Sequence, residues 1–181
     1  GWCENTSNTE SFALGLQEAG AQLVTVHGRT RKQGFSGRAD WEAIAKIKKS
    51  LDIPVIANGD IKNSRDAIEC LEITNADGVM IGRASMGAPW LVGQIDDEIN
   101  NQKTFKAPDA KMKISLSLEH LKLLVSKKGS HGLLIARKHM NWTCRGFQGS
   151  SALRNKLVRA GTPNDAINLL EEELIKLKQK I

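Results

Sequence analysis

The stretch IPVIANGD, at residues 53–60, decides the fold of this chain. Its apolar half is typical of a strand buried on both faces of a parallel sheet, and its Asn-Gly-Asp end is typical of the loop that follows such a strand. The stretches VHGRTR, at residues 26–31, and ADGVMIGR, at residues 76–83, repeat the pattern. Because a helix-like stretch follows each one, the three together predict consecutive βα units.

The spacing of these stretches suits right-handed βαβ crossovers. We predict strands at residues 22–27, 53–57 and 78–81 from their apolar runs. Asp40 is predicted to cap the helix before the second strand, and Asn63 or Ser64 the helix after it. The predicted helices lie at residues 9–19, 41–51, 65–72 and 84–99, with Pro89 in the first turns of the last.

The second half of the sequence has no strand pattern and is divided by glycines into four predicted helices. These helices lie at residues 111–127, 131–145, 152–160 and 164–180. The sequence TPND at residues 162–165 is a helix-start signal. The predicted fold class is therefore α/β, with a partial (β/α)8 TIM barrel at residues 1–100, a linker at 101–110 and an all-α helical bundle at 111–181.

The charge of the chain is divided unevenly between its two halves. The 181 residues carry a net charge of +6, but residues 1–100 hold 10 Lys and Arg against 14 Asp and Glu. Residues 101–181 hold 16 basic against 6 acidic residues, and residues 127–159 hold eight basic and no acidic ones. This asymmetry predicts a second module that faces a polyanion.

The three cysteines, Cys3, Cys70 and Cys144, are far apart and have no C-x-x-C spacing. The sequence therefore predicts neither a disulfide framework nor a metal site, and it favours packing roles in a reducing, cytoplasmic setting. No signal-peptide pattern opens the chain, and no apolar run reaches the ~20 residues of a membrane helix. We expect no membrane partner.

Three short loops carry the candidate chemistry. Asn58, Gly59 and Asp60 can bind a polyol or a phosphate, although an ordinary βα turn with Asp60 as a helix cap explains them equally well. Gly82 and Arg83 open a predicted helix, which is a natural phosphate site. His27 ends a strand on the same rim and can contact a phosphate or a flavin ring, or it can be structural. Paired loops on neighbouring strands are how TIM barrels often bind phosphate.

These residues resemble the tRNA-dihydrouridine synthases, most closely the bacterial B-type branch. The resemblance rests on residues 27–31, 53–61 and 78–84, on Pro89-Trp90, and on residues 135–139 with Trp142. It covers essentially the whole chain, in order. The opening Gly1-Trp2 matches the end of a strand that in the family carries a flavin-contacting lysine.

The resemblance implies an FMN-dependent enzyme that uses NADPH to reduce the C5–C6 double bond of specific uridines in tRNA, after the base is flipped out. It implies that His27, Asn58, Gly59, Asp60, Gly82 and Arg83 bind FMN, and that the full-length protein is a monomer. The family's catalytic cysteine lies in an Asn-x-Gly-Cys-Pro segment that does not occur here, so we assign no catalytic residue. We expect this chain alone to be inactive.

The basic helical region predicts contacts with the tRNA backbone through Arg137, Lys138 and Arg145. Trp142 can stack on a base or pack in the core of the bundle. Two rival functions remain open at this point. One is another FMN barrel that acts on a small molecule, of the dihydroorotate dehydrogenase kind, and the other is a non-enzymatic RNA-binding remnant.

Overall fold

The computed structural model describes residues 1, 8–101 and 105–179. The chain forms two compact units. Unit 1 comprises Gly1–Ser85 with Trp90–Thr104, and unit 2 comprises Met86–Pro89 with Phe105–Ile181. The predictions that concern Trp2, Cys3, residues 102–104 of the linker and the end of the last helix fall outside the described residues.

Unit 1 consists of three βα units preceded by a helix, as the sequence predicts. Its elements are α1 (Thr9–Glu18), β1 (Val24–His27), α2 (Trp41–Ser50), β2 (Val55–Asn58), α3 (Ser64–Thr74), β3 (Gly78–Met80), a 3₁₀ turn (Arg83–Ser85) and α4 (Leu91–Asn100). The helix between successive strands allows them to run parallel.

The three strands form one parallel sheet in the order β1-β2-β3. His27 pairs with Asn58, and Asn58 with Met80, so the last residues of all three strands are in register. One face of the sheet is buried through Val24, Val26, Val55 and Ala57. Successive strand residues point to opposite faces. His27, Asn58 and Met80 therefore share the other face, which is less covered.

Two helices of unit 1, α2 and α3, begin where polar side chains cap them. The Asp40 carboxylate accepts the amide hydrogen of Ala43, and the Asn63 side chain accepts that of Asp66. Both caps are confirmed, Asn63 being the one used of the two alternatives. The apolar stripes of α2 and α3 place Ile44, Ile47 and Cys70 in the core.

One predicted helix was wrong in its extent. We expected a helix over residues 84–99 with Pro89 in its first turns, but α4 begins only at Leu91. The segment before it contains a 3₁₀ turn, then Gly87 at φ +78°, then Pro89. A positive φ breaks the helical path, and the residue before a proline is disfavoured in the helical region.

Unit 2 contains four α-helices in its described part: α5 (Ala110–Lys128), α6 (His131–Thr143), α7 (Ser150–Arg159) and α8 (Pro163–Lys178). They pack around one core that includes Ile114, Leu121, Met140, Leu157 and Leu170. The bounds agree with their predictions to within about two residues, apart from the predicted end of the last helix, which lies outside the described residues. Gly87 packs in this unit directly against Trp142, because a Cβ there would lie 2.5 Å from the Trp142 Cβ.

Candidate functional site

All six predicted cofactor residues lie at the carboxyl ends of the three parallel strands, here called the carboxyl edge of the sheet. His27 and Asn58 end β1 and β2, Gly59 and Asp60 follow β2, and Gly82 and Arg83 follow β3. The Asn58 side-chain amide donates to the Met80 carbonyl at 2.7 Å, which links the ends of β2 and β3. In open and closed α/β folds alike, ligands bind at this end of the strands.

The turn after β2 has an unusual backbone that its neighbours fix. Gly59 has φ +126° and Asp60 has φ +59°. A Cβ on Gly59 would lie 2.6 Å from the Ala39 Cβ and 3.3 Å from His27 Cε1, so only glycine fits there. The Trp41 indole donates to the Gly59 carbonyl at 3.0 Å. This close packing explains the glycine as a structural requirement of the site.

The Asp60 carboxylate is a hydrogen-bond acceptor for three partners. Arg29 Nη2 donates to Oδ1 at 2.7 Å and to Oδ2 at 2.6 Å, and the Ala39 amide donates to Oδ2 at 2.7 Å. Arg83 Nη2 lies 3.4 Å from Oδ1. Burial raises the pKa of Asp60. The hydrogen bonds from Arg29 and Ala39 and the positive charges of Arg29 and Arg83 lower it by more, so the pKa lies below its usual value. Asp60 is ionised and paired.

Arg83 is held loosely at the edge of the site. Its side chain is 48% exposed, and its guanidinium carbon lies 4.4 Å from the centre of the Phe35 ring. Such a cation–π contact is weak at exposed positions and leaves the guanidinium available to an anion. The surroundings of Arg83 therefore suit the predicted role of an anion-binding arginine. The Asp60 carboxylate, which is already bonded within the protein, suits the predicted role of a cofactor ligand less well.

His27 faces the same edge, and its imidazole is disfavoured in the charged form. Burial lowers its pKa first, and the positive charges of Arg29 and Arg83 lower it further, while Asp60 acts in the opposite direction. The side chain is thus a neutral donor and acceptor near pH 7.

Three residues of the site escaped the sequence reasoning as individual contributors: Arg29, Phe35 and Trp41. Arg29 lies inside the stretch at residues 26–31 but gives no local signal of its partner, which is 31 residues away. Phe35 and Trp41 lie in and after the long loop that follows β1. The one signal in the sequence is an aromatic residue, Phe35, within a polar loop; the structure shows that its side chain is 70% exposed.

The predicted RNA contacts of unit 2 differ in their surroundings. Lys138 and Arg145 are exposed. Arg137 is half-buried, and its Nη2 donates to the Ala160 carbonyl at 2.9 Å, at the end of α7. The Arg145 Nε donates to the Asn141 carbonyl at 3.0 Å. Trp142 is half-buried, meets the His139 ring edge-on at 5.4 Å and lies 6.0 Å from Lys138 Nζ. Of the three cations, Lys138 is the most available to a partner.

The two described cysteines are buried free thiols. Burial raises the pKa of Cys70 to about 11, and burial also raises the pKa of Cys144. Neither is poised as a nucleophile, since the thiolate is the reactive form. Within residues 1, 8–101 and 105–179 there is no group of three or more His, Cys, Asp or Glu that could hold a metal, and no helix there is long and apolar enough to cross a membrane.

Comparison with known families matches residues 1–180 to the model described as "Dihydrouridine synthase (Dus)". The chain belongs to the dihydrouridine synthase family. The family has a TIM-barrel fold, and three parallel βα units in chain order agree with a part of such a barrel. The resemblance inferred from the motifs is confirmed.

Curated relatives of the family are similar over nearly the whole chain. A probable tRNA-dihydrouridine synthase 1 of Synechocystis is 47% identical over 96% of this chain and 49% of its own length. A probable tRNA-dihydrouridine synthase of Rickettsia bellii is 43% identical over 100% of this chain and 52% of its own. The tRNA-dihydrouridine synthase B of Pasteurella multocida is 36% identical, over 94% and 52%. The chain thus spans about half the length of the curated relatives it matches.

Proposed function

We propose that this chain is part of an FMN-dependent tRNA-dihydrouridine synthase that acts in the cytoplasm and uses NADPH to reduce the C5–C6 double bond of specific tRNA uridines. The observation that carries the proposal is the meeting of six predicted cofactor residues at the carboxyl edge of one parallel sheet, in a chain of the dihydrouridine synthase family. When bound, FMN supplies the hydride chemistry of this reaction.

The residues at the edge suit the phosphate of FMN. A Cβ at Gly82 would meet no atom within 4 Å, so the backbone there is open to close approach by a ligand. Arg29 makes two short hydrogen bonds to Asp60, whereas Arg83 lies 3.4 Å from the same carboxylate and stays 48% exposed, so two cations share one carboxylate and the net charge is positive. A half-exposed guanidinium beside an open glycine backbone is a donor set that fits a phosphate group.

His27 and Asn58 suit the less charged part of the cofactor. The two residues are register partners at the ends of neighbouring strands. The imidazole, neutral near pH 7, can either donate or accept a hydrogen bond, and the Asn58 amide is oriented by its bond to Met80. Oriented neutral groups of this kind suit a polyol chain or a ring carbonyl.

Unit 2 is proposed as the helical tRNA-binding domain. Residues 127–159 of this unit include eight basic residues and no acidic one. Lys138 and Arg145 on its surface are the proposed phosphate contacts, and Arg137 contributes through its charge while its guanidinium holds the end of α7. An FMN barrel acting on a small molecule shares the edge of unit 1 but has no need of this basic surface.

A titration with FMN tests the cofactor proposal. We expect the flavin fluorescence to change on binding to the wild-type chain, and Arg83→Gln to weaken binding by roughly tenfold, as for the loss of one charge-assisted hydrogen bond. Lys49→Gln is the matched control, because Lys49 is an exposed cation in the last turn of α2, which leads into the amino end of β2 and not its carboxyl end. Equal affinity of the two variants would remove Arg83 from the site.

The activity is tested in cells. Expression of the full-length gene that includes this chain, in a bacterial strain that lacks its own dihydrouridine synthases, should restore dihydrouridine at defined tRNA positions, read by mass spectrometry of tRNA fragments, whereas residues 1–181 expressed alone should not. Restoration that is abolished by Arg83→Gln supports the proposed reaction. Dihydrouridine levels that stay at zero, in cells where the protein accumulates with FMN bound, would favour the small-molecule alternative.

A further inference from the structure

Arg29 connects three separate segments of unit 1 through one buried guanidinium. Its side chain is 3% exposed. Nε donates to the Ser36 carbonyl at 3.1 Å, and Nη2 donates to the Gly37 carbonyl at 2.7 Å and to both oxygens of Asp60. The end of β1, the long loop after it and the turn after β2 are therefore tied together at this residue.

The turn that Arg29 reaches is one that needs support. Asp60 has a positive φ, a conformation that is unfavourable for a non-glycine residue and persists where the surroundings fix it. The Ala39 amide, in the loop that Arg29 also binds, donates to the same carboxylate. Arg29 and Ala39 together hold Asp60 from the side of the β1 loop.

The remaining nitrogen of the guanidinium indicates where the side chain is anchored. Nη1 is buried and has no hydrogen-bond partner within the described part of the chain. A buried donor without a partner is costly. Because Nη1 makes no hydrogen bond within this part of the chain, the position of the side chain is set by the bonds of Nε and Nη2, which all lead to the two loops.

We infer that Arg29 is a positioning residue, which fixes the Gly59-Asp60 turn through the Asp60 carboxylate so that the backbone of this turn, and not the carboxylate, meets the cofactor. This inference rests on the proposed function, since it takes the carboxyl edge as the FMN site. It also changes the role assigned to Asp60, whose carboxylate links the loop after β1 to the turn after β2. Asp60 already accepts from Arg29 and Ala39, so little of its carboxylate remains for a ligand.

Arginine is required in this role for its shape as well as its charge. The planar guanidinium presents donors in several fixed directions, and Arg29 uses two of its nitrogens on three acceptor groups. A lysine keeps the charge but has one nitrogen. We therefore expect Arg29→Lys to lose FMN affinity about as much as Arg29→Gln.

The other end of β2 offers a matched control. There Lys48 Nζ donates to Asp77 Oδ2 at 2.7 Å, and the Val55 amide donates to the same oxygen at 2.7 Å. This ion pair has the same composition as the pair of Arg29 and Asp60, a cation and a backbone amide on one carboxylate. It lies at the amino end of the strand, away from the proposed cofactor site.

The experiment compares Arg29→Gln, Arg29→Lys and Lys48→Gln by FMN titration, below the unfolding temperature of each variant. We expect both Arg29 variants to bind FMN about tenfold more weakly than wild type and Lys48→Gln to bind it equally well, although each variant loses some thermal stability. If a loss of stability alone weakened FMN binding, Lys48→Gln would also bind FMN more weakly than wild type. Wild-type affinity in Arg29→Gln, or full rescue by Arg29→Lys, would overturn the inference.

Amide hydrogen exchange by NMR separates this inference from the proposed function. Arg29→Gln should speed exchange at Ala39, whose amide is bound to Asp60, while Lys48→Gln should speed exchange at Val55 and leave Ala39 unchanged. If the wild-type chain fails to bind FMN, the proposed cofactor fails, and Ala39 alone decides the role of Arg29. Ala39 exchange unchanged in Arg29→Gln would overturn that role.

Discussion

His27 shows how single charges at the edge of the sheet affect stability. Burial and the charge of Arg29 lower the pKa of its imidazole, Asp60 offsets part of this and Arg83 adds to the lowering. Below about pH 6.5 the unfolded chain therefore binds more protons at His27 than the folded chain, so stability falls as the pH falls. We expect His27→Gln to flatten the pH dependence of the unfolding temperature between about pH 7 and pH 5. Identical slopes in the two proteins would contradict the shift.

The same residues show where sequence reasoning stops. The loops at residues 58–60 and 82–83 could be predicted to meet, because the ends of parallel strands share an edge. The bond between Arg29 and Asp60 could not, because the partners are 31 residues apart and nothing local to either signals the other. Arg137 lies in a basic run, but its contact with Ala160 depends on how α6 and α7 pack.

At the scale of elements, the start of α8 supplies a direct test of helix capping. The Thr162 hydroxyl accepts the Asp165 amide hydrogen at 3.2 Å, and the Asp165 carboxylate accepts the Thr162 amide hydrogen at 2.8 Å. Thr162→Ala removes this capping box and should lower the free energy of unfolding by about 1 kcal/mol, measured by urea denaturation. Ser130→Ala is the control, since Ser130 precedes α6 without a side-chain capping bond. Equal losses in both would show that the box contributes little.

Three helix starts could be predicted from a capping side chain, because such a cap is a local signal. Asp40, Asn63 and Thr162 each act at the first turn of a helix as expected. The start of α4 could not be placed, because a proline near the first turn is compatible with a helix that begins before it or after it. The positive φ of Gly87, which packs on Trp142, decided between them, and that contact is with a residue 55 positions away.

At the scale of the whole molecule, the division of charge along the sequence follows the division of the chain into two units. The basic stretch at residues 127–159 lies in unit 2, whereas the acidic excess lies in residues 1–100. Three parallel strands and four packed helices could both be predicted from periodicity, because apolar spacing reports directly on burial. The structure was needed to show which cations face outward, because periodicity does not distinguish a guanidinium bound to a carbonyl from one in solvent.

Charge reversal at Lys138 tests whether the basic surface binds tRNA. Lys138 is exposed on α6, so Lys138→Glu should leave the unfolding temperature near that of wild type and weaken tRNA binding in a fluorescence anisotropy titration. Because each phosphate contact releases bound counterions, the slope of log affinity against log salt should become shallower by roughly one unit. Lys49→Glu makes the same charge change at an exposed residue of α2, in unit 1, and should alter neither value. Equal weakening by the two variants would assign the effect to net charge alone, and the basic surface of unit 2 would lose its proposed role.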